Sequence, residues 1–178
     1  MKKKRVEAAG LRADKVDEEF WFHDEPGYLA RRFHQIANSI FHERVQEFDI
    51  TPIQYAALTA ISNHPGYEQR QIAGLITIDR TTINIVTKTL AAKGWVTRKA
   101  VGRRCDLCLT EQGKKVFDAI TYRLKGIGEE LLMPLKPAQR LEFIQQLKRL
   151  VDGNNSRSRV PLNLPGHAGV SESVDPTD

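Results

Sequence analysis

Over residues 26–48 the apolar positions Leu29, Phe33, Ile36, Ala37, Ile40, Phe41, Val45 and Phe48 recur three and four apart, which predicts a helix with one broad buried stripe. Thr51-Pro52 then supplies a capping side chain followed by proline at the first helical position. Ile53, Ala56, Ala57, Ala60 and Ile61 carry that second helix to the breaker His64-Pro65-Gly66. Residues 68–75 fit a short third helix, and Ile76-Thr77-Ile78 a tight turn. A fourth helix starts at Asp79, whose side-chain oxygen can accept from the orphan N–H groups of the first turn, and stops at Gly94, where helices commonly end in a left-handed residue. Its buried seam is Ile83, Val86 and Leu90. Residues 95–99 and 105–110 read as two strands around a turn at 100–104. Thr110 caps a long fifth helix with Val116, Phe117, Ile120, Leu124, Ile127 and Leu131 on its stripe, ended by Met133-Pro134. Pro137 opens a sixth, with Leu141, Ile144, Leu147, Leu150 and Val151, closed by Gly153.

Two short helices joined by a tight turn make a helix-turn-helix unit, and a hairpin directly after the second makes it a winged one. The fourth helix opposes its seam with Arg80, Thr81, Thr82, Asn84, Thr87 and Lys88, side chains suited to base edges and phosphates in a DNA major groove. An amphipathic surface helix shows the same pattern, so the charge around it decides. Residues 68–104 carry eight Lys/Arg against Glu68 and Asp79, a net of +6, whereas the whole chain is +5. The positive charge is therefore focused on the helix and on the turn bearing Arg103 and Arg104, the electrostatic footprint of a duplex binder. In this division Thr81, Thr82 and Asn84 are the sequence readers. Arg80, Lys88, Arg103 and Arg104 supply attraction.

The expected fold class is mainly α: a winged helix-turn-helix whose N- and C-terminal helices form a dimerisation region. The 178 residues, 40% of them hydrophobic, suffice for a packed core. Residues 1–25 read as a charged extension, 26–50 and 111–152 as the helical dimerisation region, 51–110 as the DNA-binding domain and 153–178 as a flexible tail. Lys2, Lys3, Lys4 and Arg5 are either a solubilising run or an arm for phosphates, and no apolar stretch follows them to make a secretory signal. No run of 18 apolar residues exists, so no membrane partner is expected and the protein is placed in the cytoplasm. The terminal helices are more apolar than a small monomer needs. Packing against a second copy resolves this, and a two-fold homodimer presents two recognition helices about 34 Å apart on a near-palindromic site.

The order of elements resembles the MarR family of bacterial transcription regulators over about residues 26–152. The resemblance is carried by Thr51-Pro52-Ile53-Gln54-Tyr55-Ala56-Ala57-Leu58, Asp79-Arg80-Thr81-Thr82-Ile83, Leu90-Ala91-Ala92-Lys93-Gly94-Trp95-Val96 and Leu109-Thr110-Glu111-Gln112-Gly113. It implies an obligate dimer of triangular shape with two winged lobes that usually repress by blocking a promoter. The wing departs from the family pattern of Asp-x-Arg. The arginine corresponds to Arg103, the acid position falls on Val101, and the wing is about two residues short. Without an acid to pin it, Arg103 is free with Arg104 to enter a narrow minor groove, or the wing makes phosphate contacts only.

Many family members release DNA when a small aromatic acid or phenol binds between the DNA-binding and dimerisation regions. Tyr28, Arg31, Arg32 and His34 put the matching chemistry on the first helix: a ring to stack, a guanidinium fork for a carboxylate and an imidazole for a hydroxyl. Inter-subunit ion pairs and an ordinary interface histidine explain the same residues, and Arg31 and Arg32 are not separated.

Cys105 and Cys108 have C-x-x-C spacing, but three positions apart on a strand their side chains point to opposite faces, against both a disulfide and a shared metal. The five histidines (23, 34, 42, 64, 167) show no ligand spacing, and neither a cofactor nor a metal is expected. No phosphate loop or nucleophile elbow is present. The acid pairs Glu18-Glu19, Asp24-Glu25 and Glu129-Glu130 are adjacent, so on a helix they point about 100° apart. An enzyme is not expected. A thiol-based redox regulator and a ligand-insensitive DNA-binding protein are the alternative functions.

Overall fold

The computed structural model describes residues 21–102 and 104–162. After a 3-10 turn at Trp21–Asp24 come α1 (Pro26–Val45), a 3-10 turn at Gln46–Phe48, α2 (Pro52–Asn63), α3 (Gln69–Leu75) and α4 (Arg80–Ala92). Strands β1 (Val96–Val101) and β2 (Arg104–Leu109) follow, then α5 (Glu111–Arg123), α6 (Ile127–Leu131), α7 (Pro137–Gly153) and a 3-10 turn at Asn155–Arg157. The chain divides into two compact units, Met1–Ala37 and Asn38–Asp178. Helix α1 runs through the boundary.

Side-chain caps fix where the helices of the second unit start. Thr51 accepts from the Gln54 amide while the Gln54 side chain accepts from the Thr51 amide, a reciprocal box. Asp79 and Thr110 cap α4 and α5 through the amides of Thr82 and Gly113. Gly94 has a φ of 74°, the left-handed helix end expected there.

The core of this unit lies among the end of α1, α2, α3, α4, the hairpin and α5. Leu58, Ile61, Ile72, Ile83, Leu90, Leu107 and Ile120 are fully buried in it. The strands pair antiparallel from Val96 with Leu109 to Val101 with Arg104, leaving a two-residue connection narrower than the turn expected over 100–104. On its other side β2 meets the chain between α2 and α3: Gly66 donates to Leu107 O at 2.8 Å and Leu107 donates to Tyr67 O at 3.1 Å. A segment that short gives no alternating pattern, so the sequence does not announce this extra edge.

Two expectations need correction. The long fifth helix is split, because Gly126 takes a φ of 76° between α5 and α6. Arg44 stabilises the break by donating to the freed carbonyls of Arg123 (3.1 Å) and Lys125 (3.0 Å), and through Nε to Glu130 (2.8 Å). The tail is also ordered further than expected. The Asn155 side chain accepts from the Leu162 amide at 2.8 Å and donates to its carbonyl at 2.9 Å, closing a loop over residues 155–162. Lys2, Lys3, Lys4, Arg5 and the chain beyond residue 162 lie outside the described residues.

Helix α7 buries none of its residues: Leu141 is 65% exposed, Leu150 64% and Val151 61%, with Ile144 and Leu147 beside them. No helix among the described residues is long and apolar enough to cross a membrane.

Candidate functional site

The turn between α3 and α4 positions the site. Thr77 adopts a φ of 55° there, a left-handed conformation that is strained for a β-branched residue. Thr77→Gly is therefore expected to raise stability by about 1 kcal/mol, measured by urea denaturation. Just beyond it, the Thr82 amide (2.9 Å) and hydroxyl (3.0 Å) both donate to the Asp79 carboxylate. These bonds hold the Asp79 carboxyl below the usual carboxylate range, with a smaller contribution from the charge of Arg159.

The polar face of α4 is smaller than its sequence suggests. Thr87 belongs to the core: it is fully buried and donates to Ile83 O at 2.9 Å, which satisfies its hydroxyl within the helix. The Thr82 hydroxyl is engaged in the cap. Asn84 is held from the wing, since Arg98 on β1 donates through Nη2 to Asn84 Oδ1 (3.2 Å) and to Gln69 Oε1 on α3 (3.1 Å). That clasp ties three elements of the lobe together and leaves Asn84 its amide donors to offer. The buried Arg98 Nε has no hydrogen-bond partner among the described residues. Arg98→Ala strands two acceptors, and a loss of about 1–2 kcal/mol is expected in denaturant titration. Arg80, Thr81 and Lys88 are exposed, and so is Ile85 at 61%, an apolar residue missing from the face read off the sequence.

Cation density continues around this surface. An open cleft of about 1020 Å³ beside the start of α4 is lined by Arg70, Arg80 and Arg159 among others. The place of Arg159 is not legible in the sequence, because the composition of the tail predicts disorder there. In the wing, Arg103 lies outside the described residues, and the backbone of Arg104 opens β2 opposite Val101. Cys105 and Cys108 are both half-buried free thiols on β2. No group of three or more His, Cys, Asp or Glu among the described residues is placed to hold a metal.

The first unit holds the other candidate residues. Tyr28, Arg31 and Arg32 come together on α1: the Arg31 guanidinium stands 5.1 Å from the centre of the Tyr28 ring, and Arg32 Nη1 donates to the Tyr28 hydroxyl at 3.5 Å. His34 lies about 120° round the helix from Tyr28, at 100° per residue, and is not part of that cluster. Two aromatic residues missed by the sequence reading complete it. The rings of Phe22 and His23 sit 5.0 and 5.2 Å from that of Tyr28. They belong to a stretch expected to be a charged extension, where no periodicity marks them.

With this geometry in place, comparison with known proteins settles the lineage. The MarR family model matches residues 50–101. The chain is 30% identical over 149 residues to a protein assigned to regulation of the hcr operon in Thauera aromatica, covering 82% of this chain and 85% of that one. The chain belongs to the MarR family. The resemblance read from the sequence is borne out, and with it a winged helix-turn-helix transcriptional regulator rather than an enzyme. The crystal structure of the regulator PcaV from Streptomyces coelicolor with its natural ligand superposes on this MarR-family chain with a TM-score of 0.69 at 30% identity, covering 78% of this chain and 97% of that one. The regulator BpsR from Bordetella bronchiseptica, described for regulation of its DNA binding by 6-hydroxynicotinic acid, shares the fold with a TM-score of 0.70 at 22% identity, covering 74% of this chain and 96% of that one.

Proposed function

We propose that this MarR-family regulator is a homodimeric repressor that binds a pseudo-palindromic DNA operator and releases it on binding a small aromatic acid or phenol. The observation that carries the reading is the surface of α4. Arg80, Thr81 and Lys88 face solvent on a capped helix, the Arg98 clasp fixes Asn84 beside them, and the wing is next in the chain. Thr81, Thr82 and Asn84 read bases, Thr82 through whatever its capping role leaves available. Arg80, Lys88, Arg103 and Arg104 contact phosphates or the minor groove.

The exposed stripe of α7 supports a dimer. A 17-residue helix with no fully buried residue leaves Leu141, Ile144, Leu147, Leu150 and Val151 exposed as an apolar stripe, and a second copy brings the identical face. Residues 26–50 and 111–152 would then form the dimerisation region, with 51–110 as the DNA-binding domain.

The cluster of Tyr28, Arg31 and Arg32 supports an acidic aromatic effector. Such a ligand presents a ring to Tyr28 and a carboxylate to a guanidinium, and the relative BpsR is described as responding to one such acid. For release, the ligand must favour a state that does not bind DNA. Titrating 6-hydroxynicotinate and a panel of hydroxybenzoates into the protein–operator complex tests this by fluorescence anisotropy. At least one acid is expected to weaken operator affinity by about tenfold or more, a coupling of ordinary size. Arg31→Ala and Arg32→Ala are expected to blunt the response unequally. Unchanged affinity across the panel would remove the effector from the proposal.

A further inference from the structure

We infer that Ile85 is a specificity-determining residue that packs against the 5-methyl group of thymine in the major groove; this rests on the DNA-reading role proposed for α4. Isolated exposed apolar residues are ordinary on protein surfaces; what distinguishes Ile85 is its position on α4. At 100° per residue Ile85 is about 160° from the buried Ile83 and Thr87, about 140° from Leu90 and about 100° from Val86, on the side of the helix turned away from the seam that seats it. Thr81 flanks it about 40° to one side and Lys88 about 60° to the same side. It therefore stands on the surface that a docked recognition helix turns toward the bases, with Thr81, Lys88 and Asn84 to one side of it and Thr82 about 60° to the other.

Within the protein Ile85 does little. Its side chain is 61% exposed, so it gains little burial. A β-branched residue in a helix interior also has a lower helix propensity than an unbranched one. Of the base-pair edges in the major groove, only thymine carries an apolar group, its C5 methyl. A branched aliphatic side chain standing beside polar and cationic residues on that face is complementary to that group. The neighbouring Asn84 is consistent with the same base-pair step. Arg98 occupies its Oδ1, leaving donors for acceptors such as thymine O4 or a purine N7.

The test uses the full-length chain and its preferred duplexes, selected from a random DNA library. Each thymine of the half-site is replaced singly by uracil, which lacks only the methyl. Affinities are then measured for the unaltered protein and for Ile85→Ala, which removes no core contact. At one or two adjacent positions the uracil substitution is expected to weaken the unaltered protein about fourfold, the worth of burying one methyl group, and Ile85→Ala by less than 1.5-fold. Uracil effects that are equal for both proteins, or preferred half-sites without thymine, would overturn the role of Ile85 while leaving the DNA-reading proposal standing. If no duplex is preferred over random DNA, that proposal and this inference both fail.

Discussion

Gly113→Ala is expected to unfold the winged lobe or to loosen it severely. A Cβ at Gly113 would stand 1.9 Å from the carbonyl oxygen of Trp95 and 2.8 Å from its carbonyl carbon. Neither atom can yield. The Trp95 carbonyl accepts from the Thr110 amide at 3.0 Å, and the Trp95 side chain is buried. The Thr110 hydroxyl also joins Gly94 O at 2.7 Å to the first turn of α5, so strand and helix are pinned at this point. Relief requires α5 to move as a body away from β1, opening the core around Leu107 and Ile120. Overpacking against side chains costs about 1–3 kcal/mol, and a backbone obstacle is worse, so about 3 kcal/mol or more is expected here. For a domain of ordinary marginal stability that is a large share of the total. Calorimetry should show a fall in Tm of ten degrees or more, and a Tm within a degree or two of the unaltered protein would mean that the close approach of α5 to Trp95 is wrong.

Charging the α7 stripe is expected to have the second large effect, on assembly and not on the fold. Ile144→Asp with Leu147→Asp puts two carboxylates into the face proposed to meet its copy. Neither residue is buried within the chain, so the monomer should keep its helical circular dichroism. Sedimentation is expected to show a dimer becoming a monomer. Operator affinity should fall about 10²-fold or more, because two linked lobes bind with an advantage of roughly 10²–10⁴ over one. A doubly substituted protein that remained dimeric would move the interface off α7.

Most of the fold was legible because its signals are local. Thr51-Pro52, Asp79, Thr110 and Pro137 each mark the start of a helix by chemistry contained in a few residues, and each helix begins there. What escaped the sequence depends on contacts between distant residues. The break at Gly126 is stabilised by Arg44, some eighty positions earlier. The clasp on Asn84 comes from Arg98, which also holds Gln69, and neither stands out beside its neighbours. Thr87 illustrates the limit of polarity as a guide. A threonine can satisfy its hydroxyl on its own helix and turn inward, and this one does, so a residue counted among the polar face lies in the core. Ile85 is the converse, an apolar residue outside the Ile83–Val86–Leu90 seam that stands in solvent. The candidate effector cluster was half visible. Tyr28, Arg31 and Arg32 share a face by spacing alone, whereas Phe22 and His23 reach Tyr28 through a turn before the helix begins.

The central claim is that two copies of α4 read one duplex. Hydroxyl-radical footprinting of the full-length protein on its selected operator tests it most directly. Two equivalent protected segments related by the dyad of the site are expected, with the major grooves that receive α4 centred about one helical turn apart, near 34 Å. Lys88→Ala should weaken both segments equally. A single protected segment, or protection that Lys88→Ala and Ile85→Ala leave unchanged, would contradict it.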